Sequence, residues 1–254
     1  GSDNTDFGNH SLFSNTGGGG NVAIGNHALN DNTTGTYNVA IGFEAAYNGH
    51  DASHITAVGY QALKASGTSA HHNTAIGAFA LTSADGGAEY NTAVGSKALM
   101  AQTTADYNTA VGWFAGTAVV GGGKNTIIGA RAAENMTSGA DNVFVGHQCG
   151  FDCTTGYDNT AIGEMAMVNL TTGYNNQAMG HNAAFALTTG YSNICIGENA
   201  GDTITTGNYC VILSNDADVS GSGAERQLVI GETTSGGNNT FKVRASSGVY
   251  NTGN

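Results

Sequence analysis

A five-residue pattern of polar, small and β-branched positions recurs along most of the chain, in the form Asn-Thr-Ala-Ile/Val-Gly. Its twelve copies start at Asn4, Asn21, Asn38, Ile55, Asn73, Asn91, Asn108, Asn125, Asn142, Asn159, Asn176 and Asn193. Successive copies start 17 residues apart, except for two steps of 18 residues, before Asn73 and before Asn91. Self-similarity at a fixed period is the sequence signature of a repeat architecture.

A second pattern follows the Gly of each copy. Ala stands three residues after the Gly in ten copies, and Leu often follows the Ala, as in Ala28-Leu29. A polar turn comes next, often Thr-Thr-Gly, as at Thr171–Gly173. Gly in this turn supplies the positive φ that a tight corner needs. The segment after the strand Gly is rich in helix formers, and it fits either a single helical turn or a second short strand.

Five residues with β-branched side chains, bounded by turns, predict a short strand. Its fourth position is Ile or Val in ten copies, and the strands carry no charge apart from Asp6. A strand without charge on either face is typical of one buried on both faces. We therefore expect the Ile/Val face to fill the inside of its own coil. The small Asn/Ala/Gly face is then expected to meet a second layer, either the return segment or a neighbouring chain.

The Asn column predicts a ladder of side-chain amides, each bonding its neighbour one rung away, because a buried amide without a partner costs about 1–3 kcal/mol. The residues assigned to this structural ladder are Asn21, Asn38, Asn73, Asn91, Asn108, Asn125, Asn142, Asn159, Asn176 and Asn193.

These patterns predict an all-β fold, with short helical turns as an option, in which about twelve coils of 17 residues form a β-solenoid. Twelve rungs at ~4.8 Å make a rod of about 58 Å. A 17-residue coil has a thin core, so oligomerisation is expected to add stability. We expect the repeat solenoid to cover residues 1–207 and a C-terminal β transition or cap region to cover residues 208–254, with strands at Tyr209–Leu213, Leu228–Gly231 and Thr240–Val243.

Composition and charge exclude several partners. The formal net charge is −12 with only seven Lys and Arg residues, whereas a protein that grips nucleic acid needs cations to displace counterions from phosphate. An anionic membrane is disfavoured for the same reason. No run of about 20 apolar residues is present, so membrane insertion is not expected.

The residues with reactive side chains show no catalytic spacing. Cys149 takes the place of an Ala, so we interpret it, with Cys153, as apolar filler rather than a metal site. Cys195 and Cys210 are assigned to the same strand position in consecutive coils, where either free thiols or a disulfide would fit. We expect no metal, no cofactor and no enzymatic activity.

Aromatic residues form two further columns. Five of them, clustered after the strand Gly in the middle coils, are candidate ligand-binding residues, because aromatic faces stack on sugar rings: Phe43, Tyr60, Phe79, Trp113 and Phe114. The alternative is a trimer contact or a cover over the Ala/Leu layer. Tyrosines one residue before the Asn column (Tyr37, Tyr90, Tyr107) or two residues before it (Tyr157, Tyr174, Tyr191) are interpreted as a structural turn ladder.

The Asn-Thr-Ala-Ile/Val-Gly-x-x-Ala-Leu pattern with Thr-Thr-Gly turns resembles repeats of bacteriophage tail fibres. It is also similar to the head repeats of trimeric autotransporter adhesins, which have a shorter period. The segments Asn208–Ile212, Ala217–Ser220, Gln227–Gly231 and Phe241–Val243 resemble the region that precedes an endosialidase-type intramolecular chaperone. The resemblance implies a parallel homotrimer, on a virion tail or outside the cell, that attaches to a glycan or another receptor on the host surface.

Two other functions fit the same sequence. The chain fits a pure shaft or spacer whose binding tip lies elsewhere. It also fits an ice-binding solenoid, because a regular column of Thr at the second strand position is what such a surface requires. Against ice binding stands the expectation that the neighbouring Ile/Val column faces the interior.

Overall fold

The computed structural model describes residues 1–67 and 70–231. It is an all-β structure in which fourteen three-residue strands form a single parallel sheet in chain order. The strands are β1 (Thr5–Phe7), β2 (Val22–Ile24), β3 (Val39–Ile41), β4 (Thr56–Val58), β5 (Thr74–Ile76), β6 (Thr92–Val94), β7 (Thr109–Val111), β8 (Thr126–Ile128), β9 (Val143–Val145), β10 (Thr160–Ile162), β11 (Gln177–Met179), β12 (Ile194–Ile196), β13 (Val211–Leu213) and β14 (Leu228–Ile230). In the described part of the chain the only helical element is a 3-10 turn at Ala84–Gly86.

Each coil contributes one strand, and consecutive strands pair in the register of the sequence repeat. Thr109 pairs with Thr126 and Val111 with Ile128, so the step from β7 to β8 is one repeat. The turns are hydrogen-bonded from coil to coil as well: the Leu29 amide donates to the Ala45 carbonyl at 3.0 Å. The predicted β-solenoid is therefore confirmed. The segment after each Gly forms turns of this kind, neither a helix nor a second strand.

The interior of the coil is filled by the small strand face. The third strand position is buried from β2 to β13, as at Ala93 and Ala110, and Ala98 and Leu99 close the opposite wall with no exposure. The expectation that Ile and Val fill the coil is wrong, since Ile41 and its equivalents point outward. The physical reason is space: the Leu side chains occupy the thin interior, and only a methyl group fits across from them.

Where the strand places a large side chain inside, the opposite wall has Gly instead of Leu. A Cβ built on Gly150 would lie 2.8 Å from the ring of Phe144, and one on Gly116 would lie 2.9 Å from Cδ1 of Ile127. Gly201 has the same relation to Ile212, at 2.8 Å. Glycine in the wall of the same coil or of the preceding coil thus makes room for each of these large strand residues, which keeps the core close-packed.

The Gly that ends each strand is required by both backbone conformation and space. Gly112 has φ 143°, and a Cβ on it would lie 2.4 Å from the carbonyl oxygen of Gly129 in the next coil. A side chain at this position would collide with backbone that cannot move without breaking the coil spacing. The repeated Gly therefore sets how closely the coils stack.

The sheet continues at its C-terminal end. β13 pairs with β12, and β14 pairs with β13, in the same parallel register as the earlier coils. The strand spacing thus extends past residue 208, where the sequence predicted the start of a terminal region, and includes the strand predicted at Leu228–Gly231. The strand predicted at Thr240–Val243 lies outside the described residues.

Candidate functional site: the outer sheet face and its aromatic edges

The outer face of the sheet consists of the second and fourth strand positions. The second column contains Thr5, Val22, Val39, Thr56, Thr74, Thr92, Thr109, Thr126, Val143, Thr160, Gln177, Ile194, Val211 and Leu228, and the fourth contains Phe7, Ile24, Ile41, Val58, Ile76, Val94, Val111, Ile128, Val145, Ile162, Met179, Ile196, Leu213 and Ile230. Neither column carries a charge. Every residue of the fourth column is at least partly exposed, and Ile41, Ile128 and Met179 are 37%, 39% and 50% exposed. We call these two columns the Thr/Ile face.

The Thr/Ile face is long and continuous. Fourteen strands spaced by ~4.8 Å extend over about 60 Å. Monomeric soluble proteins rarely leave a continuous apolar strip of this kind open, and such strips mark contact surfaces. Because the strands pair in register, equivalent side chains lie in straight rows on this face.

The Asn column lies on the inner side of the same sheet, directly before the strands, and its hydrogen bonds hold this edge of the sheet together. All ten residues of the predicted ladder are at most 1% exposed. The Oδ1 atom of Asn125 accepts the backbone N–H of Asn142 at 3.0 Å and its Nδ2 at 3.1 Å. The Asn125 Nδ2 donates to the Gly139 carbonyl at 2.9 Å. Because Asn125 Nδ2 also donates to Oδ1 of Asn108 at 3.0 Å, this amide ties its own coil to both neighbouring coils.

The ladder has one internal interruption. Ile55 takes the Asn position in the fourth coil, and its backbone N–H still donates to Oδ1 of Asn38 at 3.1 Å. Ile55 offers no side-chain acceptor to the next coil. Asn73 starts the ladder again, with its Nδ2 donating to the Ala88 carbonyl at 2.7 Å.

A ladder of aromatic rings follows the edge of the Thr/Ile face that precedes the strands. It comprises Tyr37, His54, His72, Tyr90 and Tyr107, with ring centroids 5.0–5.5 Å apart. Its last pair is nearly parallel, with an angle of 3° between the ring planes of Tyr90 and Tyr107. The spacing matches the rise of the coils, because each ring stands on the equivalent position one coil on.

A second ladder begins one position earlier in the coil. Tyr157, Tyr174 and Tyr191 stack at 4.9 and 4.8 Å, and Tyr209 meets Tyr191 edge to face. Between the two ladders are two coils without an aromatic ring at either position, where Gly123-Lys124 and Ala140-Asp141 stand instead. The ring column is therefore broken between Tyr107 and Tyr157.

Two open depressions lie at the two ends of the first ladder. One, of about 350 Å³, lies beside Tyr37 and includes Gly1–Asp3. The other, of about 320 Å³, lies at the break beside Tyr107 and is lined also by Asp106, Lys124 and Asp141. These three charged residues are not among the site residues predicted from the sequence. The signal that identifies them is the gap in the tyrosine column.

The five aromatic residues predicted to bind ligand lie along the opposite edge, in two groups. Phe43 stacks on Tyr60 at 5.4 Å, and Phe79 meets Tyr60 edge to face at 5.2 Å. Trp113 and Phe114 form a separate pair at 4.4 Å. Phe43, Tyr60 and Trp113 are 41%, 47% and 54% exposed, so one face of the molecule presents them to solvent in two clusters rather than one stripe.

Histidines and acids alternate further along this edge. His147 Nδ1 lies 3.5 Å from Glu164 Oε1, and His181 Nδ1 lies 3.8 Å from Glu198 Oε1, with all four side chains about half exposed. Among residues 1–67 and 70–231, no three His, Cys, Asp or Glu side chains are grouped to hold a metal ion. These pairs are solvated surface contacts.

All four cysteines are buried and free. The assignment of Cys195 and Cys210 to one strand position is wrong, because Cys195 pairs with Ile212 while Cys210 takes the place of an Asn. The Cys210 N–H donates to Oδ1 of Asn193, at 3.0 Å. Burial raises the pKa of Cys149, Cys153 and Cys195 from 9.0 to about 12 in each case.

The buried thiols predict a loss of stability at alkaline pH. In the unfolded chain these thiols ionise above pH 9, whereas in the folded chain they stay protonated to about pH 12, so the folded state binds more protons in this window. Stability therefore falls as pH rises from 9 to 12, by about 1.4 kcal/mol per thiol and pH unit. At pH 10 the three thiols together are expected to cost about 4 kcal/mol relative to pH 8.

Denaturant titration at pH 8 and pH 10 under reducing conditions measures this loss. The matched control combines Cys149→Ala, Cys153→Ala and Cys195→Ala, and it should show a much smaller difference between the two pH values. Equal pH dependence in the two proteins would show that the thiols are not the cause.

The described part of the chain contains no helix long and apolar enough to cross a membrane. The chain matches no protein-family model and no curated protein.

Proposed function

We propose that this chain is a segment of an adhesive fibre, assembled as a parallel homotrimer and attached to a host cell surface through glycans. The observation that carries the proposal is the Thr/Ile face, an uncharged and largely apolar strip on the outside of a coil whose own interior is already filled with Ala and Leu. A face of this kind is a contact surface in need of a partner.

Another copy of the same chain is the partner that fits this face best. The strip is straight and extends through all fourteen strands, so a partner has to match it over about 60 Å. A parallel copy provides the same rows at the same spacing, and closed cyclic symmetry uses one surface of each protomer without leaving it open. Three copies around an axis would bury the Ile/Val rows along the centre of the fibre. The elongated solenoid then suits a fibre shaft in which the aromatic edges of the sheet face solvent.

Placing a charge in the centre of the Thr/Ile face tests this arrangement. Ile128→Lys would bring three ammonium groups together on the axis of the trimer, where burial of unpaired charge is strongly unfavourable. We expect the solution mass by light scattering to fall from near three times 25.6 kDa to that of one chain. Ser138→Lys, on an exposed turn, is the matched control and should keep the wild-type mass.

A wild-type chain that is monomeric at all concentrations would overturn the trimer. Attachment is tested separately, by binding of the chain to host envelopes and to polysaccharide extracted from them. If removal of this segment from the fibre leaves host attachment intact, the segment is a spacer and not the adhesive part.

Ice binding is the second candidate, and a specific observation favours it. The Thr column proves to be on the outside, and β4 to β8 present five consecutive threonines, Thr56, Thr74, Thr92, Thr109 and Thr126, in a straight row. The Ile/Val column is itself exposed and does not hide this face in the interior. Thermal hysteresis in a monomeric preparation would support this function, and its absence would remove it.

A further inference from the structure

We propose that the depression at the break in the tyrosine ladder is a binding site for a neutral oligosaccharide. The site deepens the proposed host attachment and rests on it, because it names where on the chain a glycan would be held. It lies on the turn that precedes β7 and the two turns that follow in the next coils.

Tyr107 provides the wall on which a sugar ring can stack. One face of its ring is covered by Tyr90, at a centroid distance of 5.1 Å. The next coil has Lys124 at the equivalent position, and within the described residues no ring or cation is stacked on the second face of Tyr107. Tyr107 is 57% exposed. A flat apolar surface thus borders the depression, and the C–H face of a pyranose is its natural complement.

The same depression has charged groups of both signs. One carboxylate oxygen of Asp106 accepts the Glu89 amide at 2.8 Å, which orients the side chain and leaves the other oxygen to accept from a hydroxyl. Lys124 and Asp141 are exposed and take part in no side-chain hydrogen bond or ion pair within the described residues. An ammonium donor and two carboxylate acceptors beside an aromatic face are what sugar hydroxyls require.

Glycine keeps the depression open. Gly121 lies in its lining, and a Cβ there would meet only Oγ1 of Thr104, at 4.0 Å. The volume of about 320 Å³ lies at the lower end of the range for small-ligand sites, which suits a short saccharide. The site has two carboxylates and one ammonium group, and the chain has a net charge of −12. An uncharged sugar is therefore favoured over an anionic one.

Saturation-transfer NMR on the full chain tests the site. The uncharged probes are chitotriose, maltotriose and lactose at millimolar concentration, and a hyaluronan tetrasaccharide is the anionic probe. We expect at least one uncharged probe to receive saturation on the C–H protons of one ring face, and the anionic probe to receive none. No transfer to any uncharged probe, or transfer to the anionic one alone, would overturn the proposal.

Two variants locate the binding by different means. Tyr107→Ala removes the stacking wall, and Gly121→Leu fills the depression without removing any group; each is expected to weaken binding by at least about tenfold. Tyr174→Ala is the matched control, because both faces of Tyr174 are stacked within the second ladder and it should bind as the wild type does. Wild-type affinity in both Tyr107→Ala and Gly121→Leu would place the sugar elsewhere.

Light scattering on the same samples separates this proposal from the fibre function. A trimer that binds no sugar overturns the saccharide site and leaves the fibre. A monomer whose sugar binding is lost in both variants keeps the site and overturns the trimer.

Discussion

Phe144→Ala is expected to lower the free energy of unfolding by about 3–5 kcal/mol, because it opens a cavity in a close-packed interior. Phe144 is fully buried and is the largest side chain inside the solenoid. Its ring fills the space that Leu fills in other coils, since the opposite wall at this level has Gly150. Denaturant titration with the wild type as reference measures the loss.

A second substitution tests whether positions 144 and 150 only have to match in size or whether position 144 requires Phe itself. Adding Gly150→Leu to Phe144→Ala recreates the Ala/Leu pair that Ala93 and Leu99 form three coils earlier, and should restore stability to within about 1.5 kcal/mol of the wild type. The backbone permits Leu there, since Gly150 has φ 61° and Leu99 already has φ 49°. Gly150→Leu alone should destabilise by about 1–3 kcal/mol through overpacking. A double variant no more stable than Phe144→Ala would show that the two positions are not coupled.

Asn125→Ala is expected to cost about 3 kcal/mol, because it leaves buried polar groups of two neighbouring coils without partners. The Asn142 N–H loses its acceptor, and the Gly139 carbonyl loses its donor. Both groups are held inside the sheet, where water does not replace the lost bonds. Denaturant titration measures the change, with the slope of the transition showing whether the array still unfolds as one unit.

Asn135→Ala is the matched control for the ladder. Asn135 is exposed, and its Nδ2 donates to Oδ1 of Asp152 in the next coil at 2.8 Å. Removing this bond should change stability by no more than about 0.5 kcal/mol, because water satisfies both groups. If Asn125→Ala lowered the free energy of unfolding equally little, the ladder would set the register between coils without adding to stability.

The fibre and ice-binding functions use the same face and exclude one another. A Thr/Ile face buried on the axis of a trimer is not available to ice, and a face open to ice leaves the chain monomeric. The solution mass therefore decides between them before any ligand is chosen. The saccharide site lies at the edge of this face, on the turn side of the Asn column.

The sequence by itself determined the repeat, its period and the position of every strand up to β12, because each strand is bounded by the same Asn and Gly, with Ile55 as the one substitute for Asn. It also indicated the buried amides, since an Asn that recurs in register has a partner one rung away. The Gly residues that end the strands followed from the same spacing. These features depend on neighbours in sequence or on the equivalent residue of the next coil, and a regular repeat makes both visible.

Only the tertiary structure decided which strand face points inward. Alternation separates Thr and Ile from Asn and Ala but does not say which pair is inside, because neither face carries charge. Closure of the coil decides it: Leu99 and its equivalents enter the interior from the opposite wall, and only Ala fits across from them. The depression beside Tyr107 likewise depends on how separate coils stack, since it lies where a ring in one coil has no ring at the equivalent position of the next coil.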